Sequence, residues 1–176
     1  GGFNGRELEK GDVIGFRAPV DTLSRMADRV PKPEFAPKPV YTLRVVLGPQ
    51  DDAFTDAGID TFLSGTYTVT PEFDRMGCRL DGPVIAHKEG GDIISDGIAF
   101  GAIQVPSAGT PIIMLGDRQT TGGYTKIATV ITADFRTLAQ LKAGDKARFV
   151  KVPVEYAQSL LLAQRSALKA LSGINA

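Results

Sequence analysis

Pro111-Ile112-Ile113-Met114-Leu115, Asp117-Arg118-Gln119-Thr120-Thr121-Gly122-Gly123-Tyr124 and Ile127-Ala128-Thr129-Val130-Ile131 decide how this chain is read. The two apolar flanks are rich in β-branched residues and predict buried strands. Between them stand an acid, a base, an amide, two hydroxyls, two glycines and a phenol. That is more polar chemistry than a tight hairpin needs. Gly122-Gly123 lets the backbone take a positive φ or approach a ligand closely. Two readings stay open on spacing alone. One is a polar hairpin whose Asp117 and Arg118 make local turn bonds, and the other is a ligand-contacting loop.

Working outward, the same strand pattern recurs. Val40 to Leu47 and Lys146 to Val152 read as strands, as does Thr66 to Thr70 with Pro71 closing it. Val13 to Phe16 is a short strand candidate. Ile93-Ile94-Ser95 and Gly97 to Val105 are glycine-rich strand material, and such glycines mark bulges, barrel corners or close approaches. Thr55 to Leu63 suits a short helix, weakened by Gly58. Thr132 is placed to cap a helix carrying Phe135, Leu138 and Leu141. Glu155 to Leu171 predicts a final amphipathic helix with Ala157, Leu160, Leu161, Leu168 and Leu171 on one side, covering a barrel end, with Gly173 as its stop. Residues 21–30 suit a helical turn. The four prolines of Pro31 to Pro39 predict a stiff, extended linker. Many short strands with few helices give a mainly β fold: a barrel with short peripheral helices and a C-terminal helix.

Composition narrows function. The chain has 176 residues, 43% of them hydrophobic, enough for a real core. Lys plus Arg and Asp plus Glu number 20 each, so a nucleic-acid role has no electrostatic footprint. One cysteine, Cys78, and one histidine, His87, rule out an internal disulfide and argue against a zinc site; no metal is expected. Cys78 has no nearby histidine or lysine to lower its pKa, and His87 reads as a solvent-exposed loop residue. No apolar run reaches membrane-spanning length and no signal pattern opens the chain, so a cytoplasmic protein is expected, with no membrane partner.

A second polar constellation is Asp74-Arg75-Met76-Gly77-Cys78-Arg79-Leu80. Arg75 and Arg79 offer forks suited to carboxylates, ureido oxygens or phosphates, and surface ion pairing with Asp74 and Asp81 is the plainer use. Gln104 interrupts the apolar run of Ala102, Ile103 and Val105; buried, its amide needs partners on both sides.

Asp117 to Tyr124, Lys126-Ile127-Ala128, Leu138 to Asp145, Asp74 to Pro83 and Gly101 to Pro106, in that family's order, resemble the allophanate hydrolase subunit 2 family. That family includes KipA-type proteins, the C-type component of bacterial 5-oxoprolinase and the matching half of the urea carboxylase carboxyltransferase domain. The resemblance runs nearly end to end. It implies a cyclophilin-like barrel over residues 40–176, with residues 1–39 as an entry segment and linker completing a preceding lobe. It also implies that Gly1-Gly2 opens a fragment of a longer protein. Thr125 stands where relatives often carry proline.

For function, the resemblance implies an ATP-dependent amidohydrolase of the 5-oxoprolinase kind, converting 5-oxoproline to glutamate, or a biotin-dependent carboxyltransferase. Either works with a subunit 1 partner, which is KipI-like, and with a LamB/YcsF-type subunit. The ATP site has no recognisable motif here, and biotin would arrive on another protein. The alternative is a KipA-type regulator that binds a histidine-kinase inhibitor. The expected catalytic residues are Arg118 for charge stabilisation, Asp117 as its orienter or as base, and Tyr124 as stacking or proton-relay group. The expected substrate-binding residues are Arg75, Arg79, Gln104, Gln119, Thr120, Thr121, Gly122 and Gly123, all lining one concave site.

Overall fold

The computed structural model describes residues 3–15 and 38–172, and the chain divides into two units, Gly1–Ala36 and Pro37–Ala176. In the first, Phe3 and Arg6 bridge across a tight turn, and Arg6 grips Asp12 at 2.7 Å. Residues 13–15 form no strand, and Val13 and Ile14 are exposed, because nothing pairs them among the described residues. Phe16, the expected turn at 21–30, linker residues 31–37 and Gly173 lie outside the described residues.

The second unit is a closed barrel. Its strands are β1 (Tyr41–Leu47), β2 (Tyr67–Phe73), β3 (Gly77–Asp81), β4 (Asp92–Gly97), β5 (Ala102–Val105), β6 (Ile112–Met114), β7 (Thr121–Val130) and β8 (Lys146–Lys151). The order β1-β8-β2-β3-β6-β5-β7 is closed by β7 on β1, and β4 hangs from β7 outside the ring. Among these strands only β1 and β8 run parallel. Alternation fills the interior: Leu43, Val45, Val69, Cys78, Leu80, Ile103, Val105, Ile113, Val130 and Phe149 point inward, as period-2 strands require. Phe62 of α1 (Asp56–Ser64) plugs one end, stacked on Phe149 at 4.5 Å. Thr55 caps that helix through Gly58 N. Gly58 is no defect there: a β-carbon would sit 2.3 Å from Ala86 O.

Four local expectations are corrected. Pro71 does not end β2, which runs on to Phe73 through a register shift against β3; there the ladder needs no N–H from proline. Thr132 makes no cap bond. The turn Thr132–Asp134 is 3₁₀ and leads into the single-turn helix α2 (Phe135–Leu138), while the buried Asp134 carboxylate is taken by Arg44, accepting from its N–H at 2.8 Å and from Nε at 3.0 Å. His87 is no free loop residue: its ring packs 4.5 Å from Phe54, and Nε2 lies 3.0 Å from both Val105 O and Thr125 Oγ1. Finally, helix α3 (Val154–Ser172) is docked over its first half alone. Ala157 and Leu161 are half-buried and line a shallow pocket with Val46 and Ile131, whereas Leu162 and Leu168 are more than 60% exposed. The helix outruns the barrel wall, so its stripe finds nothing further to bury against among the described residues.

Candidate functional site

The outward faces of β5 and β6 carry a second, smaller apolar layer. Alternation that sends Ile113 inward sends Ile112 and Met114 outward, beside Ala102, and Ile98 closes over them. β7 is the reason Ile98 is there. Its residues Thr125–Val130 belong to the barrel wall, while Thr121–Tyr124 pair with β4 instead. A one-residue bulge at Ile127 marks its pairing with β5, where Ile103 faces Ala128 but Gln104 faces Lys126. The first half of β7 and β4 thus form an arm over the outer face of the barrel. The second half of the polar stretch read as a loop, Thr121–Tyr124, is strand, and residues 116–120 form the turn.

Between arm and wall lies an open cleft of about 630 Å³. The wall supplies Gly77, Arg79, Gln104, Ile112 and Met114, the arm side supplies Gln119 and Tyr124, and the β2–β3 hairpin supplies Glu72, Phe73 and Met76. Gln104 is 4% exposed, and its Nε2 has no hydrogen-bond partner among the described residues. A buried donor without an acceptor costs roughly 1–3 kcal/mol, so such a group in a cleft wall asks for a ligand oxygen or a water. Gly122 stands against it: a β-carbon there would lie 2.9 Å from Gln104 Nε2 and 2.7 Å from Ile98 Cδ1. Arg79 reaches Glu72 at 3.0 Å, and Asp74 accepts from Met76 N and Gly77 N. Those two backbone bonds hold the Asp74 carboxyl below its ordinary pKa and shape the hairpin.

The expected site residues divide. Arg79, Gln104, Gln119 and Tyr124 line this cleft, and Gly122 backs it. Arg75 and Asp117 pair with each other at 2.9 Å, at the rim of a neighbouring apolar bowl of about 530 Å³ that holds Phe73, Phe100, Leu115 and Leu138. Arg118 Nε donates to Ile98 O at 2.9 Å, Nη1 lies 3.3 Å from Leu115 O, and the guanidinium sits 5.9 Å from the centre of the Phe100 ring. It lines neither cavity. Thr120, Thr121 and Gly123 line neither as well; Thr120 O accepts from Ile98 N at 3.0 Å. Sequence reasoning passed over Ile112 and Met114, which period-2 alternation about Ile113 marks as sharing a face, and Lys126, a charge set inside an apolar strand. No cluster of metal-ligating side chains occurs among the described residues, and no helix there is long and apolar enough to cross a membrane.

Comparison with known proteins bears on the family and the fold. The family profile described as "Carboxyltransferase domain, subdomain A and B" matches residues 1–151. A protein from Haemophilus influenzae, named as the C component of 5-oxoprolinase, is 35% identical over 91% of this chain and 50% of its own length. One named urea amidolyase from Saccharomyces cerevisiae is 30% identical over 98% of this chain and 10% of its own. The crystal structure of Kluyveromyces lactis urea amidolyase superimposes with a TM-score of 0.73 at 23% identity, over 82% of this chain and 9% of that one. The chain therefore spans about half the length of the first relative and a tenth of the second.

Proposed function

This chain belongs to the carboxyltransferase domain family, subdomains A and B, and we propose that it contributes a carbonyl-binding cleft to a multi-subunit amidohydrolase acting on 5-oxoproline. The observation that carries this reading is the buried, unpartnered Gln104 Nε2 in the cleft wall. It supplies a fixed donor where a lactam or ureido oxygen gains charge, and donors already in place there need no reorganisation as the oxyanion forms. Gln119 and Tyr124 stand on the opposite side with further polar atoms, and Ile112 and Met114 offer apolar surface to a flat ring. The same donor suits the ureido carbonyl of a biotin carried by another protein, whose chemistry is to ferry a carboxyl group. A triphosphate does not suit this cleft: among the described residues that line it, Arg79 is the one cation and is paired with Glu72. ATP is therefore assigned to another part of the complex, with a subunit 1-type partner.

The test is reconstitution of the intact protein with its partner subunits, offering 5-oxoproline, urea and allophanate separately and following ATP hydrolysis. Stimulation by 5-oxoproline that Gln104→Leu abolishes is the expected result. Stimulation by urea or allophanate instead moves the chain to the carboxyltransferase reading. Full turnover in Gln104→Leu removes the cleft from the chemistry.

A further inference from the structure

Lys126 is the buried charge that the proposed chemistry leaves unused. It is 1% exposed, and its ammonium lies 3.0 Å from Asp96 Oδ2 on β4. Nζ makes no hydrogen bond to any other group among the described residues. Removing an ammonium from water costs several kcal/mol, which one ion pair repays poorly, so a methionine would fill the same space more cheaply. The charge is explained by what it holds.

The arm is anchored at its two ends, by Gly91 against the end of β5 and by Ile98 in the outer apolar layer, and what remains to be fixed is the pairing between them. Among the described strands β4 pairs with β7 alone, and Ile94 at its middle is 95% exposed, so burial does not choose the register. That register slips within the pairing: Asp92 faces Tyr124 but Asp96 faces Gly122. Within β4 no residue is buried, so the register there is weakly specified by packing and a specific polar contact has to fix it. Lys126 and Gln50, whose Nε2 donates at 3.1 Å, converge on Asp96. Gly122, the partner of Asp96, is the residue standing over Gln104 Nε2. The position of Asp96 thereby sets how the arm covers the cleft donor.

We propose that Lys126 is a positioning residue: through Asp96 it locks the register of the β4 arm and so places Gly122 over the Gln104 amide. This rests on the cleft reading only for what the arm serves; the lock is testable without any substrate. In the intact protein, Lys126→Met is expected to speed hydrogen exchange of Ile98 N–H, which donates to Thr120 O, at least tenfold. Val130 N–H, which donates to Gly101 O in the barrel, is expected to keep its rate. The Gln104 side-chain amide resonances shift in the same variant. Lys126→Arg restores both signals, Asp96→Asn reproduces the loss, and the double variant adds nothing to either single one. Should Lys126→Met fail to fold, Asp96→Asn at its half-exposed site decides alone. Wild-type exchange at Ile98 in Asp96→Asn, or equal acceleration at Ile98 and Val130, overturns the proposal. Full turnover with the lock broken would count against the cleft reading instead.

Discussion

Gly122 and Gln104 are in such close apposition that a single β-carbon on Gly122 would stand 2.9 Å from Gln104 Nε2. Ile98 Cδ1 would be closer still, at 2.7 Å. Ile98 is flexible enough to yield, so Gly122→Ala folds but lifts the arm or turns the amide away. A misplacement of about 1 Å in a reacting geometry costs roughly a hundredfold. Turnover of the reconstituted complex is expected to fall by about that factor with the melting temperature nearly kept. Retained turnover would show that the amide does not face the substrate.

Arg118 bonds main-chain oxygens of Ile98 and Leu115 and lines neither cavity. Hydrogen bonds from charged donors contribute about 1.5–3 kcal/mol each. Arg118→Ala is therefore expected to lower the melting temperature and turnover together. A hundredfold loss of turnover at an unchanged melting temperature would instead place its charge at the reacting centre.

Arg44 is the partner of the buried Asp134 carboxylate, and that pairing, with Asp134 as the larger cause, raises the Arg44 pKa above its ordinary value. Arg44→Ala leaves Asp134 one backbone N–H. Breaking such a pair costs about 3–5 kcal/mol when fully buried. Arg44 keeps some solvent, so a loss near the low end, about 3 kcal/mol, is expected in denaturant unfolding. A loss below about 1 kcal/mol would mean that Asp134 reaches water.

Burial pushes the Cys78 thiol up to about 12 and the Tyr67 phenol up to about 12. Both groups are raised in the folded state, so their contribution to stability is whole below their unfolded values. It is lost as pH rises through about 9–10 toward 12. Native protein at pH 8 is expected to resist thiol alkylation, and its denaturation midpoint should fall between pH 9 and 11. Rapid alkylation at pH 8 would show that β3 opens readily.

The sequence by itself determined the barrel. The strand-like Tyr41–Leu47, the alternating Lys146–Lys151, the apolar Ile112–Met114 and the short helix near Thr55 are local signals, and each lies in the structure where the pattern places it. It also marked Gln104 as an amide in an apolar run, because a polar residue at a core period stands out without coordinates. Tertiary structure decided which polar groups share a cavity. Arg118 and Gln119 are adjacent in sequence, yet one is spent on Ile98 O and the other faces the cleft. That choice depends on the bend of β7, where a single bulged residue turns half the strand out of the wall. No local propensity encodes where the resulting arm comes to rest. The docking of α3 was out of reach for the same reason: its stripe states that a face is apolar, and only the length of the barrel wall decides how much of that face is covered.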